Sequence, residues 1–253
     1  MNFIKKYAKF IFAILINIFT PAVAKAAMAF PTLSIGMGTA NTPQEFTQGV
    51  QILILLTVLT LAPSIFIMTT AFIRIVIVLA LTRQAIGTAS LPPNQVLAGL
   101  ALILTFFVMA PTFNKINEDA VQPYLSNQIT QQVAFEKASL PMREFMIKHT
   151  HEKEIALFIS MAKLQKPQNW KDVPTYIIIP AFVLSELKTA FIIGFVIFLP
   201  FLVIDIIVAS ILVSMGMLFL PPTVVATPFK LILFVMIDGW YLITKSLLES
   251  FIT

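Results

Sequence analysis

Six ionisable residues stand in otherwise apolar stretches of the chain: Arg74, Glu186, Lys188, Asp205, Lys230 and Asp238. An uncompensated charge in such surroundings costs several kcal/mol or more, so each needs a function or a partner. The set is balanced, three bases against three acids. Intramembrane charges mark ion or proton pathways, or else they pair with one another. A proton path would favour acids beside histidines or polar relays. The only histidines, His149 and His151, lie in a polar segment, and their i,i+2 spacing keeps them off a common helix face. They read as solvated surface rather than as a metal site. Paired structural charge is the better reading of the six. Glu186 and Lys188 are themselves i,i+2 and do not face each other along one helix. Their partners must come from another element or another copy of the chain, within the set Arg74, Asp205, Lys230 and Asp238. Together the six read as an inter-element lock, in part across subunit boundaries.

The elements that must carry these charges are apolar helices. Of the 253 residues, 58% are hydrophobic and 11% charged, with a mean hydropathy of +0.91. Soluble domains hold about 25% charged residues, so the composition is that of a membrane protein. Apolar runs extend over 48–81, 96–113, 176–219 and 229–248, and residues 114–175 form the only water-soluble stretch. Within that stretch EFMIKHTHEKEIALFISMAKL reads as one amphipathic helix, with Phe145, Ile155, Phe158, Ile159 and Met161 as its apolar contacts. Residues 176–215 as a single helix would be about 60 Å long, twice a ~30 Å hydrocarbon core. Pro63, Pro180 and Pro200 offer kinks. The strong breakers are GTASLPP and GMLFLPP.

The expected architecture is therefore all-α: kinked helical hairpins flanking a small helical insert. The first hairpin covers 48–113, the insert 114–175, and the second hairpin with the C-terminal helix 176–253. Reversals fall at 82–95 and 216–228, around Gly87, Pro92 and Pro93 in the first and Gly216, Pro221 and Pro222 in the second. Ser210 and Ser214 form a small-xxx-small step suited to close helix packing. Met215, Met217, Leu218 and Phe219 crowd the second reversal with flexible bulky groups, as a packed core or as a seal.

The N-terminus adds an address. Lys5, Lys6 and Lys9 precede an apolar run from Phe10 to Phe19, and small-residue sites follow at residues 22–26. This reads as a cleavable secretory signal over 1–26, followed by an irregular lead-in over 27–47. Removing four of the 17 bases (Lys5, Lys6, Lys9 and Lys25) leaves 13 against 12 acids, a balance that argues against nucleic acid as a partner. The mature N-terminus and the insert would then face the periplasm, with both reversals toward the cytoplasm. There is no cysteine, hence no disulfide, thiolate nucleophile or Cys-based zinc site. No phosphate loop, G-x-S-x-G or His-Glu-x-x-His motif is present, so no enzyme, cofactor or catalytic residue is expected.

RIVIVLALTRQAIGTASLPPNQVLAGLALILTFFVMAP and SELKTAFIIGFVIFLPFLVIDIIVASILVSMGMLFLPP…PFKLILFVMIDGWYL resemble the two signature blocks of the FliP family of flagellar export-gate proteins. The likeness runs from about residue 50 to the C-terminus and includes the insert. It implies a subunit of a type III protein-export gate in the bacterial inner membrane at the flagellar basal body. It further implies a pentameric ring of this chain joined by FliQ and FliR, with FlhA and FlhB alongside. Unfolded flagellar subunits would pass through the gate, and lipid would surround it. The ring would sit largely above the bilayer plane. In the family a methionine-rich loop before the double proline rings and seals the pore. The matching residues here are Met217, Leu218 and Phe219, so the implied seal is hydrophobic rather than strictly methionine. Ala89 stands where the family often has proline. Two other readings of the same residues are an assembly scaffold for the other gate subunits and a secondary transporter of ions or small solutes.

Overall fold

The computed structural model describes residues 43–88, 90–165, 167, 169, 172–217 and 219–252, with side chains from residue 50 onward. The segment expected to be a signal and most of the expected irregular lead-in lie outside the described residues, as do Ala89 and Leu218. The chain divides into two units at Ile52/Leu53. Of the first, the described part is the beginning of helix α1 (Pro43–Thr69), which starts within the segment expected to be irregular. Everything below belongs to the second unit.

Among the described residues the fold is all-α. After α1 come α2 (Phe72–Ile86), α3 (Asn94–Ile116), a π-helical turn (Asn117–Val121), and α4 (Gln122–Leu125). The rest of the insert holds α5 (Gln131–Lys148) and α6 (Glu152–Met161). Then follow α7 (Thr175–Ser214), α8 (Pro222–Met236) and α9 (Gly239–Ile252). Among the described residues three helical stretches are long and apolar enough to cross a membrane: Val50–Thr69, Asn94–Leu125 and Thr175–Ser214. The bent pair α8–α9 would make a fourth.

Local chemistry explains where the helices stop. Pro63 lies inside α1 without ending it. The break comes at Thr70–Ala71, where Thr69 Oγ1 and Thr70 Oγ1 donate to the carbonyls of Ile65 and Phe66 at 2.8 Å. Thr105 makes the same bond to the Ala101 carbonyl inside an unbroken helix, so these hydroxyls accompany the break rather than dictate it. The arm read as one kinked helix is therefore two helices, and its proline is not the hinge. At the end of α2, Gly87 takes φ 84°, a left-handed C-terminal position that costs glycine little. Pro180 and Pro200 do not interrupt α7, a 40-residue helix of about 60 Å.

Two expected helices are broken in two. The amphipathic segment ends at Lys148 and restarts at Glu152, so His149–His151 form a corner rather than a helix face. Phe145, Ile155 and Ile159 are buried as the pattern predicts, whereas Met161 is exposed. The last apolar run is α8 and α9, bent by 65° at Ile237–Asp238. Asp238 has φ 52° there. A Cβ on the next residue, Gly239, would come within 2.2 Å of the Phe234 ring, so the tight bend depends on glycine.

Packing centres on α2, whose most extensive contact is with α7 and whose next is with α3. Gly194 of α7 lets Leu81 of α2 approach so closely that a Cβ would lie 2.2 Å from its Cδ1. The core joins Ile75, Val78 and Leu79 of α2 to Ile178, Ala181 and Phe182 of α7, with Met109, Phe145 and Leu247 from neighbouring elements. It stays narrow, and the remaining apolar surface of α7 is open: Phe191, Phe195, Val203 and Ile207 are all exposed.

Candidate functional site

Arg74 lies in the first turn of α2, on the face that meets α7 and α9, and only 3% of its surface is exposed; that of Glu186 is fully covered. Arg74 Nε donates to Glu186 Oε2 at 2.8 Å, and Nη2 donates to Oε1. The planar guanidinium fork matches the carboxylate on two bonds, the geometry that best repays removal of both charges from water. The remaining donor side is used as well. Arg74 Nη1 donates to the Ser250 carbonyl at 2.9 Å and to Ser250 Oγ at 3.0 Å. The guanidinium carbon stands 3.9 Å from the centre of the Phe251 ring, a cation–π contact. One side chain thus ties α2, α7 and α9 together.

Lys230 of α8 is buried and donates to Asp205 Oδ2 of α7 at 2.6 Å, and to the Ala85 carbonyl of α2 at 3.3 Å. The ammonium therefore sits at the negative end of the α2 dipole as well as on a carboxylate. Asp205 Oδ1 is buried with no hydrogen-bond partner among the described residues. A Cβ on Gly87 would lie 3.0 Å from Thr227 Oγ1, so the end of α2 is held against α8 at two points. Inside the first reversal, Arg83 Nη1 donates to the Pro92 carbonyl at 3.0 Å and to Asn94 Oδ1 at 2.7 Å. Thr88 Oγ1 donates to the Leu91 carbonyl at 2.6 Å. Pro93 immediately precedes α3, and the Leu91–Pro92 bond is cis.

Lys188 reaches the insert rather than another apolar helix. Its Nζ donates to Glu154 Oε1 of α6 at 3.1 Å, and its side chain is half exposed. Burial opposes ionisation of Glu154, but the Lys188 hydrogen bond, its own backbone amide and nearby positive charge outweigh that. The net effect holds its carboxyl below the usual range. Beside this pair Ser185 Oγ accepts from the His151 amide at 3.0 Å and donates to the His149 carbonyl at 3.3 Å. The corner between α5 and α6 is thereby fastened to α7.

The sequence reading placed both histidines in solvent. His151 is exposed, but His149 is half-buried, with its ring 4.7 Å from that of Phe145 and 5.4 Å from that of Phe251. Burial, together with the charges of Arg74 and Lys148, lowers its pKa to about 4, so it is neutral at pH 7. Asp238 joins no buried pair among the described residues; it is exposed at the α8–α9 bend. Sequence reasoning also passed over Glu154 and Ser250. Both sit in segments that read as solvated or terminal, and only α7 and α2 folding against them reveals their role.

The second reversal has the opposite character. Gly216 takes φ 75°, Pro221 and Pro222 open α8, and Met215, Met217 and Leu220 are largely exposed. Phe219 is 99% exposed. Ser210 and Ser214 are exposed too, with their hydroxyls donating to Ile206 and Ile211 of their own helix. Among the described residues no group of His, Asp and Glu is arranged to hold a metal ion.

Kinked apolar hairpins, pinned by ion pairs and carrying a small helical insert, define a class: helical integral-membrane proteins whose charges hold elements together. The narrower assignment comes from comparison with known proteins. The FliP family matches residues 55–247, and the chain belongs to that family. It is 54% identical to the flagellar biosynthetic protein FliP of Bacillus subtilis over 217 residues, 86% of this chain and 98% of that one. Its identity to the FliP of Caulobacter vibrioides is 48% over 241 residues, covering 95% and 90% of the two chains. Against the FliP of Pectobacterium carotovorum it is 50% over 211 residues, covering 83% and 82%.

Proposed function

We propose that this chain is a core subunit of the flagellar type III protein-export gate in the bacterial inner membrane. Several copies would form a ring, pentameric as the family resemblance implies, with FliQ and FliR joined to it and FlhA and FlhB beside it. Unfolded flagellar subunits would pass through its centre. The observation that carries this reading is the family match over residues 55–247, which spans the pairs Arg74–Glu186, Lys188–Glu154 and Lys230–Asp205 and both reversals. The exposed apolar faces of α1, α7 and α8 support it, since they ask for cover by lipid or by other subunits. The ionisable groups in the apolar helices are engaged mainly in pairs rather than strung along a path, which favours a structural frame over a solute transporter.

In this reading Met215, Met217, Leu218 and Phe219 line the constriction and Pro221 and Pro222 fix the exit of their loop. Flexible bulky side chains can fill an irregular gap and then yield to a passing chain, while a narrow apolar ring resists wetting. The insert and the N-terminus would lie on the periplasmic side. The test is a deletion strain complemented with the intact gene, with secreted hook and filament subunits as the readout, and purification of the complex from it. Restored secretion and a ring of several copies support the proposal. A monodisperse single chain that binds a small solute and leaves secretion unchanged would overturn it.

A further inference from the structure

His149 opens the corner between α5 and α6, and its ring is held between two others. Phe145 lies 4.7 Å away, centre to centre, and Phe251 of α9 lies 5.4 Å away and nearly perpendicular. Phe251 in turn carries the Arg74 guanidinium at 3.9 Å. The half-buried imidazole makes no hydrogen bond among the described residues. It borders a hollow of about 570 Å³ between α3, α5 and α9, which gives it a route to solvent protons. The charges around it offer an imidazolium no direct partner. Arg74 of α2 and Lys148 of α5 repel it, and Lys115 of α3 lines the same hollow. Glu144 also lines the hollow, more than half exposed and 3.9 Å from Lys115. Glu186 of α7 is taken by Arg74, Glu154 of α6 by Lys188, and Glu249 of α9 stands 3.9 Å from Lys245. Glu152 of α6 is exposed, and His151 has its Nε2 3.5 Å from Thr189 Oγ1.

We propose that His149 is an acid-operated latch on the last turn of α9. When its imidazole takes up a proton, residues 250–252 leave α2 and α5 while the corner stays in place. The fastenings decide which side moves. Ser185 of α7 accepts from the His151 amide and donates to the His149 carbonyl, and Phe145 packs edge-on against Phe182 of α7. The end of α9 has weaker ties: two hydrogen bonds from Arg74 Nη1 to Ser250, and the ring contacts of Phe251. Breaking them leaves Arg74 on Glu186, so the buried ion pair survives the opening. A protonated His149 puts a second cation beside the Arg74–Phe251 contact with nothing to balance it. Burial, Arg74 and Lys148 hold its pKa at about 4 in the closed chain, whereas a solvated imidazole takes up its proton near 6.5. By linkage the open form gains as pH falls. The ratio of open to closed chains rises roughly 20-fold from pH 7 to pH 5. The latch belongs to the fold alone and does not depend on the export role.

The experiment uses the full chain, with whatever subunits accompany it, extracted from membranes in mild detergent. Amide hydrogen exchange is followed by mass spectrometry between pH 7 and pH 5, each rate set against the intrinsic rate at that pH. We expect protection of the last turn of α9 to fall roughly 20-fold over that range, while peptides from α6 and the middle of α7 keep theirs. His149→Gln should abolish the fall. Lys148→Glu places a carboxylate beside the imidazole, raises its pKa in the closed chain and should shrink the fall. Helical content of both variants at pH 7 should match the parent. If His149→Gln does not fold, Lys148→Glu decides alone, since its position is exposed. Protection that ignores pH, a fall of undiminished size in either folded variant, or loss over α6 and α7 in step with α9 would overturn the proposal. The last of these outcomes marks general acid unfolding in place of a latch.

Discussion

Three ion pairs with different burial order themselves by consequence. Replacing Glu186 leaves Arg74 charged, covered and without its carboxylate, a loss of roughly 3–5 kcal/mol. Glu186→Ala should therefore lower the amount of folded chain recovered from membranes severely, and Glu186→Gln somewhat less. Lys230→Ala should follow, since it exposes both a carboxylate and a helix end. Lys188→Ala should be milder than Glu186→Ala, because half of that side chain is already in solvent, although it leaves the covered Glu154 carboxylate without its ion pair. Protein yield and thermal unfolding of the purified variants give the order, and a Lys188 variant as damaging as Glu186→Ala would contradict it. His149 supplies a pH test. Its folded pKa lies below the ordinary 6.5, so the unfolded chain binds the extra proton more readily. The stability it contributes is complete above pH 6.5 and is lost as pH falls toward 4. Unfolding temperature should drop between pH 7 and pH 5, and His149→Gln should flatten that part of the profile.

At the scale of elements, the α2–α7 seam is set by one missing side chain. Gly194→Ala drives a Cβ into Leu81 and should cost about 1–3 kcal/mol, as overpacking does. Adding Leu81→Ala should recover part of this loss, measurable as a rise in unfolding temperature over the single variant. The periodic and apolar patterns made these helices visible, because long apolar runs have few other uses. The breaks were harder. Prolines attracted the expected kinks, yet Pro63, Pro180 and Pro200 all lie within helices, where neighbouring packing can make good the lost hydrogen bond. The real break before α2 falls at Thr70–Ala71, seven residues past Pro63. Asp238 misled in another way. An acid in an apolar run looks like a buried charge, but Asp238-Gly239 is also a turn dipeptide, and the turn won. Arg74, Glu186, Asp205 and Lys230 stood out as charges against apolar neighbours. Glu154 could not, since an acid inside a charged insert carries no such contrast.

Taken whole, the molecule leaves much of its apolar surface open, and the two predictions at this scale concern what lies around it. Reporter fusions placed near residue 140 should show export across the inner membrane if the insert faces the periplasm; a cytoplasmic signal there reverses the orientation. Trimming Met217, Leu218 and Phe219 together to alanine should leave the complex assembled and let small ions leak, read as conductance or salt-sensitive growth. Single changes should be milder, because adjacent copies can refill a small void. Cells that remain tight with normal complex levels would assign the seal to another partner and leave this loop as packing.

The wiring of Arg74 also bears on how the protein is made. Its carboxylate partner lies 112 residues further along the chain, and the carbonyl it grips lies 176 residues further. At about 5–20 residues per second, translation reaches Glu186 roughly 6–22 s after Arg74, and Ser250 later still. For that interval α2 carries a guanidinium without the carboxylate that it meets in the folded protein. Releasing it alone into hydrocarbon costs about 2.5–3.5 kcal/mol or more. Holding the early helices in a watery or protein-lined vestibule until α7 arrives avoids that cost, which favours insertion as one deferred event over insertion helix by helix.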